Sequence, residues 1–178
     1  SEIGFEFVLE LRSPADATLR ILPAYNPYVG SNAILDGDDY GRFYRRPATI
    51  GTETDGRFDP MFVITNRARF GRDGTFYPAQ GYDRGRLRFG TEAESSLADW
   101  YLDSAEGLVE IRLPWGLLNV TDPSSRTVLF DRSDQADGEF GTAVTDGFRM
   151  GAIVYRKGNA EPPLATLPAA AGRTWRAT

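Results

Sequence analysis

The chain has 178 residues, enough for one domain with a sizeable core, and its 25 acidic and 20 basic side chains give a formal net charge of −5. This acidic balance argues against a nucleic-acid-binding protein, which normally presents a basic face. The sequence contains no histidine and no cysteine. This excludes imidazole bases, thiolate nucleophiles, disulfides, His- or Cys-ligated haem and ordinary zinc sites. No apolar run reaches the length of a membrane-spanning helix, so no transmembrane segment is predicted.

The first two predicted strands form an N-terminal hairpin. Apolar and polar residues alternate along Gly4–Arg12, the pattern of a strand with one buried face. Ser13–Asp16 is typical of a turn. Thr18–Leu22 is predicted to return as the second strand and to end before Pro23.

A long polar segment, from Asn26 to Asp59, contains the predicted ligand-binding residues. A loop of this length in a compact domain is usually functional or disordered, and loops on a rigid scaffold often carry binding residues. Aromatic rings pack on the apolar face of a sugar ring, and guanidinium groups bond to polar or anionic groups. The candidate site is therefore Tyr28, Tyr40, Tyr44, Arg42 and Arg45. The alternative is that these rings close the open end of the fold.

The middle of the chain is predicted to hold a central strand and two hairpins. Met61–Thr65 is strongly apolar, as expected for a buried strand. Arg67–Phe70 and Thr75–Tyr77 flank a glycine-rich turn. Leu97–Leu102 and Leu108–Leu113 form the second hairpin. Further short strands are predicted at Arg86–Phe89, Thr127–Phe130 and Phe148–Tyr155.

The second strand of the later hairpin alternates clearly. One face is predicted to be buried and carries Val109, Ile111, Leu113 and Trp115. Trp115 is therefore predicted to be a core residue whose replacement by alanine costs about 3–5 kcal/mol. Glu110 and Arg112 on the other face are predicted to form a solvated pair. Trp100 and the two methionines, Met61 and Met150, are predicted to be core residues as well.

This strand also carries a family resemblance. It reads acidic-apolar-basic-apolar-Pro-Trp and is followed by a short apolar turn, with the matching residues Glu110, Ile111, Arg112, Leu113, Pro114, Trp115, Leu117 and Leu118. The segment 97–125 resembles the carbohydrate-binding-module and DOMON-like β-sandwiches. The resemblance implies a β-sandwich that binds sugars or haem, or that serves as an interaction module. The chain lacks the histidine that a haem-binding relative would supply.

Acidic residues suggest two further kinds of site. Asp134, Asp137 and Glu139 are the preferred candidates for a calcium site, since calcium takes six to eight oxygen ligands. Solvated turns are the alternative, and no other cofactor is predicted. A second group of acids supplies carboxylates for a glycoside hydrolase: Glu92, Glu94, Asp99, Asp103, Glu106 and Glu110. Nothing in the sequence brings two of them together, so no catalytic residue is assigned.

The many short strands and turns, with 19 glycines and 11 prolines, predict an all-β protein. The expected fold is an antiparallel, jelly-roll-like β-sandwich with long loops over residues 1–156, followed by an extended Pro/Ala-rich tail at 157–178. Arg173–Ala177 is a candidate closing edge strand.

The favoured function is a non-catalytic carbohydrate-binding module of an extracytoplasmic bacterial protein, periplasmic or secreted, with a glycan or polysaccharide as partner. One alternative is a structural or interaction module that contacts other protein subunits and binds no small ligand. A second is a glycan-processing enzyme.

Overall fold

The computed structural model describes residues 5–27, 57–66, 68–131, 140–156, 158 and 164–167. Within these residues the protein is built from antiparallel β-strands and two short 3-10 helices. The strands form six sheets of only two or three strands each. The prediction of an all-β, antiparallel fold is confirmed, but the described sheets do not close into a sandwich.

The strands are β1 (Phe7–Ser13), β2 (Asp16–Ile21), β3 (Asp59–Pro60), β4 (Phe62–Asn66), β5 (Arg69–Phe70), β6 (Phe76–Tyr77), β7 (Gln80–Asp83), β8 (Trp100–Asp103), β9 (Leu108–Ile111), β10 (Val120–Asp122), β11 (Thr127–Asp131), β12 (Phe140–Val144), β13 (Ala152–Val154) and β14 (Ala165–Leu167). The 3-10 helices are Pro23–Tyr25 and Trp115–Leu118. β14 pairs with β13 in antiparallel register. Arg173–Ala177 lies outside the described residues.

The core is centred on β2. This strand pairs with β1 on one side and β3 on the other, which confirms the predicted N-terminal hairpin. Its inward residues Ala17, Leu19 and Ile21 are all buried, as the alternation of the strand requires. The remaining buried members of the cluster are Met61, Leu87, Trp100 and Leu117. Phe7, Leu9 and Leu11 of β1 pack against them.

A glycine allows another segment to run close beside β2. The Leu19 backbone N–H donates to the Gly85 carbonyl oxygen at 2.7 Å, and the Leu87 N–H donates to the Ala17 carbonyl oxygen at 3.0 Å. A Cβ atom on Gly85 would overlap the Leu19 carbonyl oxygen. The lack of a side chain at this position therefore lets the chain reach β2 and insert Leu87 into the core.

The β8–β9 hairpin forms as predicted, but its burial differs from the prediction. Its register runs from Trp100 opposite Ile111 to Asp103 opposite Leu108. Trp100 is buried in the core, which confirms that prediction. All four residues of β9 are exposed, so the prediction of one buried face is wrong. The reason is that the hairpin contacts the core at its Trp100 end and extends away from it.

The burial of Trp115 was also predicted wrongly. The strand alternation ends at Pro114, and a 3-10 helix begins at Trp115. Because this helix turns the chain, Leu117 takes the buried position and Trp115 is 53% exposed. The helix ends at Leu118 and is capped by Asn119, a buried residue in the left-handed conformation that asparagine tolerates. Its Nδ2 donates to the Tyr25 carbonyl oxygen at 2.7 Å and so ties the two 3-10 helices together.

The β10–β11 turn contains a carboxylate with a strongly lowered pKa. The Ser124 and Ser125 hydroxyls donate to Asp122 at 2.6 and 2.7 Å. These bonds, with the Ser124 backbone N–H, lower the pKa of Asp122 from 3.8 to about 2. Because the folded-state pKa is depressed, the stability that this carboxylate contributes is present above its ordinary pKa and is lost as the pH falls toward 2.

We therefore expect a pH-dependent difference between wild type and Asp122→Asn. The variant should be less stable at pH 5, and the difference should shrink as the pH falls from about 4 to about 2. Urea unfolding at several pH values measures this, with Ser125→Ala as a variant that keeps the carboxylate and removes one donor. A stability difference that stays constant from pH 5 to pH 2 contradicts the assignment.

Candidate functional site

The predicted ligand and metal residues lie outside the part of the chain that the structure describes. This holds for the loop residues Tyr28, Tyr40, Arg42, Tyr44 and Arg45. It also holds for the calcium candidates Asp134, Asp137 and Glu139. The described residues present a different site, which the sequence did not reveal.

The candidate site is a shallow depression beside the β5–β6 hairpin. Its volume is about 140 Å³, and its lining consists of Asn66, Arg69, Tyr77, Pro78 and Gln80. Enclosed pockets for drug-sized ligands measure roughly 300–1,000 Å³. The depression therefore suits contact with one ring of a ligand that extends beyond it.

The amide side of the depression is formed by β4 and β7. These strands pair antiparallel, and the register shifts between Ile64 and Asn66. Such an irregularity redirects side chains and is common beside functional sites. Asn66 Nδ2 donates to Gln80 Oε1 at 3.2 Å, and Thr65 Oγ1 donates to the Gln80 carbonyl oxygen at 3.1 Å. The two amides are thus held next to each other at the surface.

The aromatic side of the depression comes from the β5–β6 hairpin, which forms as predicted. Arg69 lies directly opposite Tyr77, and Phe70 lies opposite Phe76. Because neighbouring strand residues point to opposite faces, the first pair faces the depression and the second faces away from it. The Arg69 guanidinium carbon lies 5.6 Å from the centre of the Tyr77 ring, within cation–π range. The Phe70 and Phe76 ring centres are 5.1 Å apart on the other face.

The hairpin turn keeps these pairs in register. The Gly71 N–H donates to the Thr75 carbonyl oxygen at 2.7 Å, and Asp73 Oδ1 accepts the Thr75 N–H at 3.0 Å. This second bond is the main cause of a lowered pKa at Asp73. Gly74 has a φ of +82°, a conformation that glycine adopts without strain. A Cβ on Gly71 would lie 3.3 Å from Tyr77 Cε2, so glycine also leaves room for the ring.

The lining has the chemistry of a polyol-binding surface. The two amides both donate and accept hydrogen bonds, and the guanidinium donates up to five. The Tyr77 ring, in a residue that is 47% exposed, supplies a flat apolar contact. No carboxylate is among the described residues that line the depression, so these residues do not form an acid/base pair. The sequence signal for the site is the pairing of Arg-Phe with Phe-Tyr across a tight turn, a pattern that by itself predicts only a hairpin.

The Arg112 side chain pairs with a different acid from the one predicted. Arg112 Nη1 lies 3.0 Å from Glu92 Oε1, and Arg112 Nη2 donates to the Ala98 carbonyl oxygen at 3.0 Å. Glu110 was predicted to pair with Arg112 but lies opposite Tyr101 in the hairpin register. The prediction of that pair is therefore wrong, because Arg112 follows the end of β9 and turns back toward the base of the hairpin.

Other acids of this region serve local turns. Glu94 Oε2 accepts the Thr91 N–H at 2.9 Å, and the Glu94 N–H donates to Thr91 Oγ1 at 3.3 Å. This reciprocal pair is a capping box, and the Thr91 N–H is the main cause of the lowered pKa of Glu94. Asp103 Oδ1 accepts two backbone N–H groups of the β8–β9 turn. Within the described residues, no three acidic side chains are grouped closely enough to hold a metal ion.

Trp115 and Phe148 form a second aromatic surface. Their ring centres are 6.3 Å apart, and the ring planes differ by 20°, a stacked arrangement. Since Trp115 is exposed, it remains available for contact with another molecule. Its removal is therefore expected to affect surface contacts more than the core.

Comparison with known proteins assigns no family to this chain. Searches with protein-family models, among curated proteins and among solved structures found no match. The resemblance of segment 97–125 to the carbohydrate-binding-module and DOMON-like β-sandwiches therefore rests on its residues alone.

In the part that the structure describes, no helix has both the length and the apolar character needed to cross a membrane.

Proposed function

We propose that the chain is a non-catalytic carbohydrate-binding β-sandwich module of an extracytoplasmic bacterial protein, and that the depression beside the β5–β6 hairpin is its binding site. The observation that carries the proposal is the lining: a tyrosine ring, two amides and a guanidinium around a concave surface, with no carboxylate among the described lining residues. The ring suits the C–H face of a pyranose, and the polar groups suit its hydroxyls. Such a surface holds a saccharide but supplies no acid to cleave it.

The surroundings of the depression favour an extended ligand. Tyr82 lies two residues beyond Gln80 on β7, so both side chains point to the same face. Tyr82 is exposed, as is Tyr77. Two exposed aromatic residues on strands that follow each other in the chain suit consecutive sugar rings better than one small molecule. A glycan or polysaccharide is therefore the proposed partner.

The proposal is tested with Tyr77→Ala. We expect the dissociation constant for a bound glycan, first identified on a glycan array, to rise at least about tenfold. The free energy of unfolding should change by about 1 kcal/mol or less, since an exposed cation–π contact contributes about 0.5–1 kcal/mol. Calorimetric titration and a thermal melt measure the two quantities. The control is Tyr155→Ala, because Tyr155 has the same exposed fraction of 47% and lies outside the depression.

Two results contradict the proposal. One is an intact chain that binds no saccharide on the array. The other is an equal loss of affinity in Tyr77→Ala and Tyr155→Ala. Tyr40→Ala and Tyr44→Ala are titrated in parallel, because the sequence assigns a glycan site to their loop. If the two loop variants lose glycan binding and Tyr77→Ala keeps it, the binding site lies in the loop and not in the depression.

A second candidate function is a structural or interaction module of a larger protein assembly without a small ligand. The observation that favours it is the exposed apolar face of β9, where Val109 and Ile111 are each about half exposed. Contiguous exposed apolar surface often marks a contact with another protein. This function predicts that Val109→Ser changes assembly with other subunits and that no saccharide binds.

A further inference from the structure

We infer that the saccharide bound at the depression is acidic, and that its carboxylate, as in a uronic acid unit, bonds to Arg69. This inference rests on the proposed carbohydrate-binding function and narrows its ligand class. A guanidinium presents its N–H groups as a planar fork that matches the two oxygens of a carboxylate. Arg69 is exposed and lines the depression, so such a ligand reaches it directly.

The Arg69 charge is balanced differently from that of the ion-paired arginines Arg12 and Arg112. Arg12 and Arg112 each have a carboxylate oxygen at 3.0 Å, from Glu10 and Glu92. Among the described residues, no carboxylate lies within ion-pair distance of Arg69, and its contact is the face of the Tyr77 ring. The ring holds the guanidinium at the depression without neutralising it. The pairing position for an anion is therefore available at the site where the sugar ring is proposed to stack.

The segment around the depression is basic within an acidic chain. Residues 66–80 contain three arginines and one aspartate, whereas the whole chain has a net charge of −5. That aspartate, Asp73, already accepts the Thr75 backbone N–H within the turn. A local excess of positive charge attracts an anionic ligand. This charge pattern supports the same ligand class as Arg69, which has no carboxylate partner among the described residues.

The test compares oligouronates with their methyl esters, which keep the sugar and its length and remove the charge. Oligogalacturonates, oligomannuronates and oligoglucuronates are titrated beside their esters and beside neutral oligosaccharides. We expect at least one oligouronate to bind about tenfold or more tightly than its ester. In Arg69→Gln this preference should fall to about one, and added salt should weaken oligouronate binding in the wild type. The control variant is Arg88→Gln, an exposed arginine outside the depression, with melts for both variants.

Each result separates this inference from the function on which it rests. Equal binding of acids, esters and neutral sugars overturns the acidic ligand and leaves carbohydrate binding in place. A preference for acids that survives in Arg69→Gln overturns the role of Arg69. The absence of any saccharide binding overturns the proposed function itself. If Arg69→Gln fails to fold, Arg69→Lys replaces it, and an undiminished preference for acids in that variant contradicts bidentate pairing.

Discussion

Replacing Trp100 by alanine is expected to lower the free energy of unfolding by about 3–5 kcal/mol. Trp100 is 5% exposed and belongs to the core cluster around β2. Its ring also meets the Phe89 ring edge-on, with centres 4.9 Å apart. The substitution removes the largest side chain of the core and leaves a cavity that the short surrounding strands cannot readily close. Urea unfolding monitored by circular dichroism measures the loss.

Trp115→Ala is the matched control for Trp100→Ala. It removes the same side chain from a position that is 53% exposed, so the expected loss is about 0.5–1.5 kcal/mol, from the contact with Phe148. Trp100→Phe should lose less than Trp100→Ala, since the Trp100 indole N–H has no hydrogen-bond acceptor among the described residues. Equal losses in Trp100→Ala and Trp115→Ala contradict the burial of these two residues.

Met61→Ala is expected to cost about 2–5 kcal/mol. Met61 is 0% exposed and lies between β3 and β4, beside the inward residues of β2. Its backbone is fixed as well, because its carbonyl oxygen accepts the Arg84 N–H at 2.9 Å. The cost therefore comes from a cavity at a position that cannot shift freely. Met61→Leu keeps most of the volume and should cost less than about 1.5 kcal/mol.

The matched control for Met61→Ala is Met150→Ala. Met150 was predicted to be a core residue, but it is 59% exposed, and that prediction is wrong. We expect its replacement to change the free energy of unfolding by about 0.5 kcal/mol or less. Chemical denaturation of the two variants side by side measures the difference. A large loss of unfolding free energy in Met150→Ala, together with a small loss in Met61→Ala, contradicts the placement of Met61 in the core and Met150 at the surface.

The candidate depression could not be predicted from local sequence. Asn66 and Gln80 are fourteen residues apart, and their side chains meet because of the irregular β4–β7 register. Arg69 and Tyr77 meet because a tight turn places them directly opposite each other. The turn itself was predictable from its glycines. The register that brings the two pairs to one concave surface depends on pairing between strands.

The pattern of residues along the chain was enough to predict an all-β structure and the position of three hairpins, β1–β2, β5–β6 and β8–β9. Apolar and polar residues alternate along Phe7–Ser13, and a glycine-rich turn precedes Phe76. Both patterns depend on interactions within a few residues, so both can be identified from the sequence. The absence of histidine and cysteine likewise excluded whole classes of chemistry.

Which alternating faces are buried depends on contacts between strands that are distant in the sequence. Val109 and Ile111 alternate as regularly as Leu19 and Ile21, yet the first pair is about half exposed and the second is in the core. Alternation specifies that two residues share a face, but burial requires another element to cover that face. β2 has neighbours on both edges and a packed inner face, whereas β9 extends beyond the core. Trp115 is exposed because a 3-10 helix begins directly after Pro114. This helix directs the Trp115 ring outward and places Leu117 in the core.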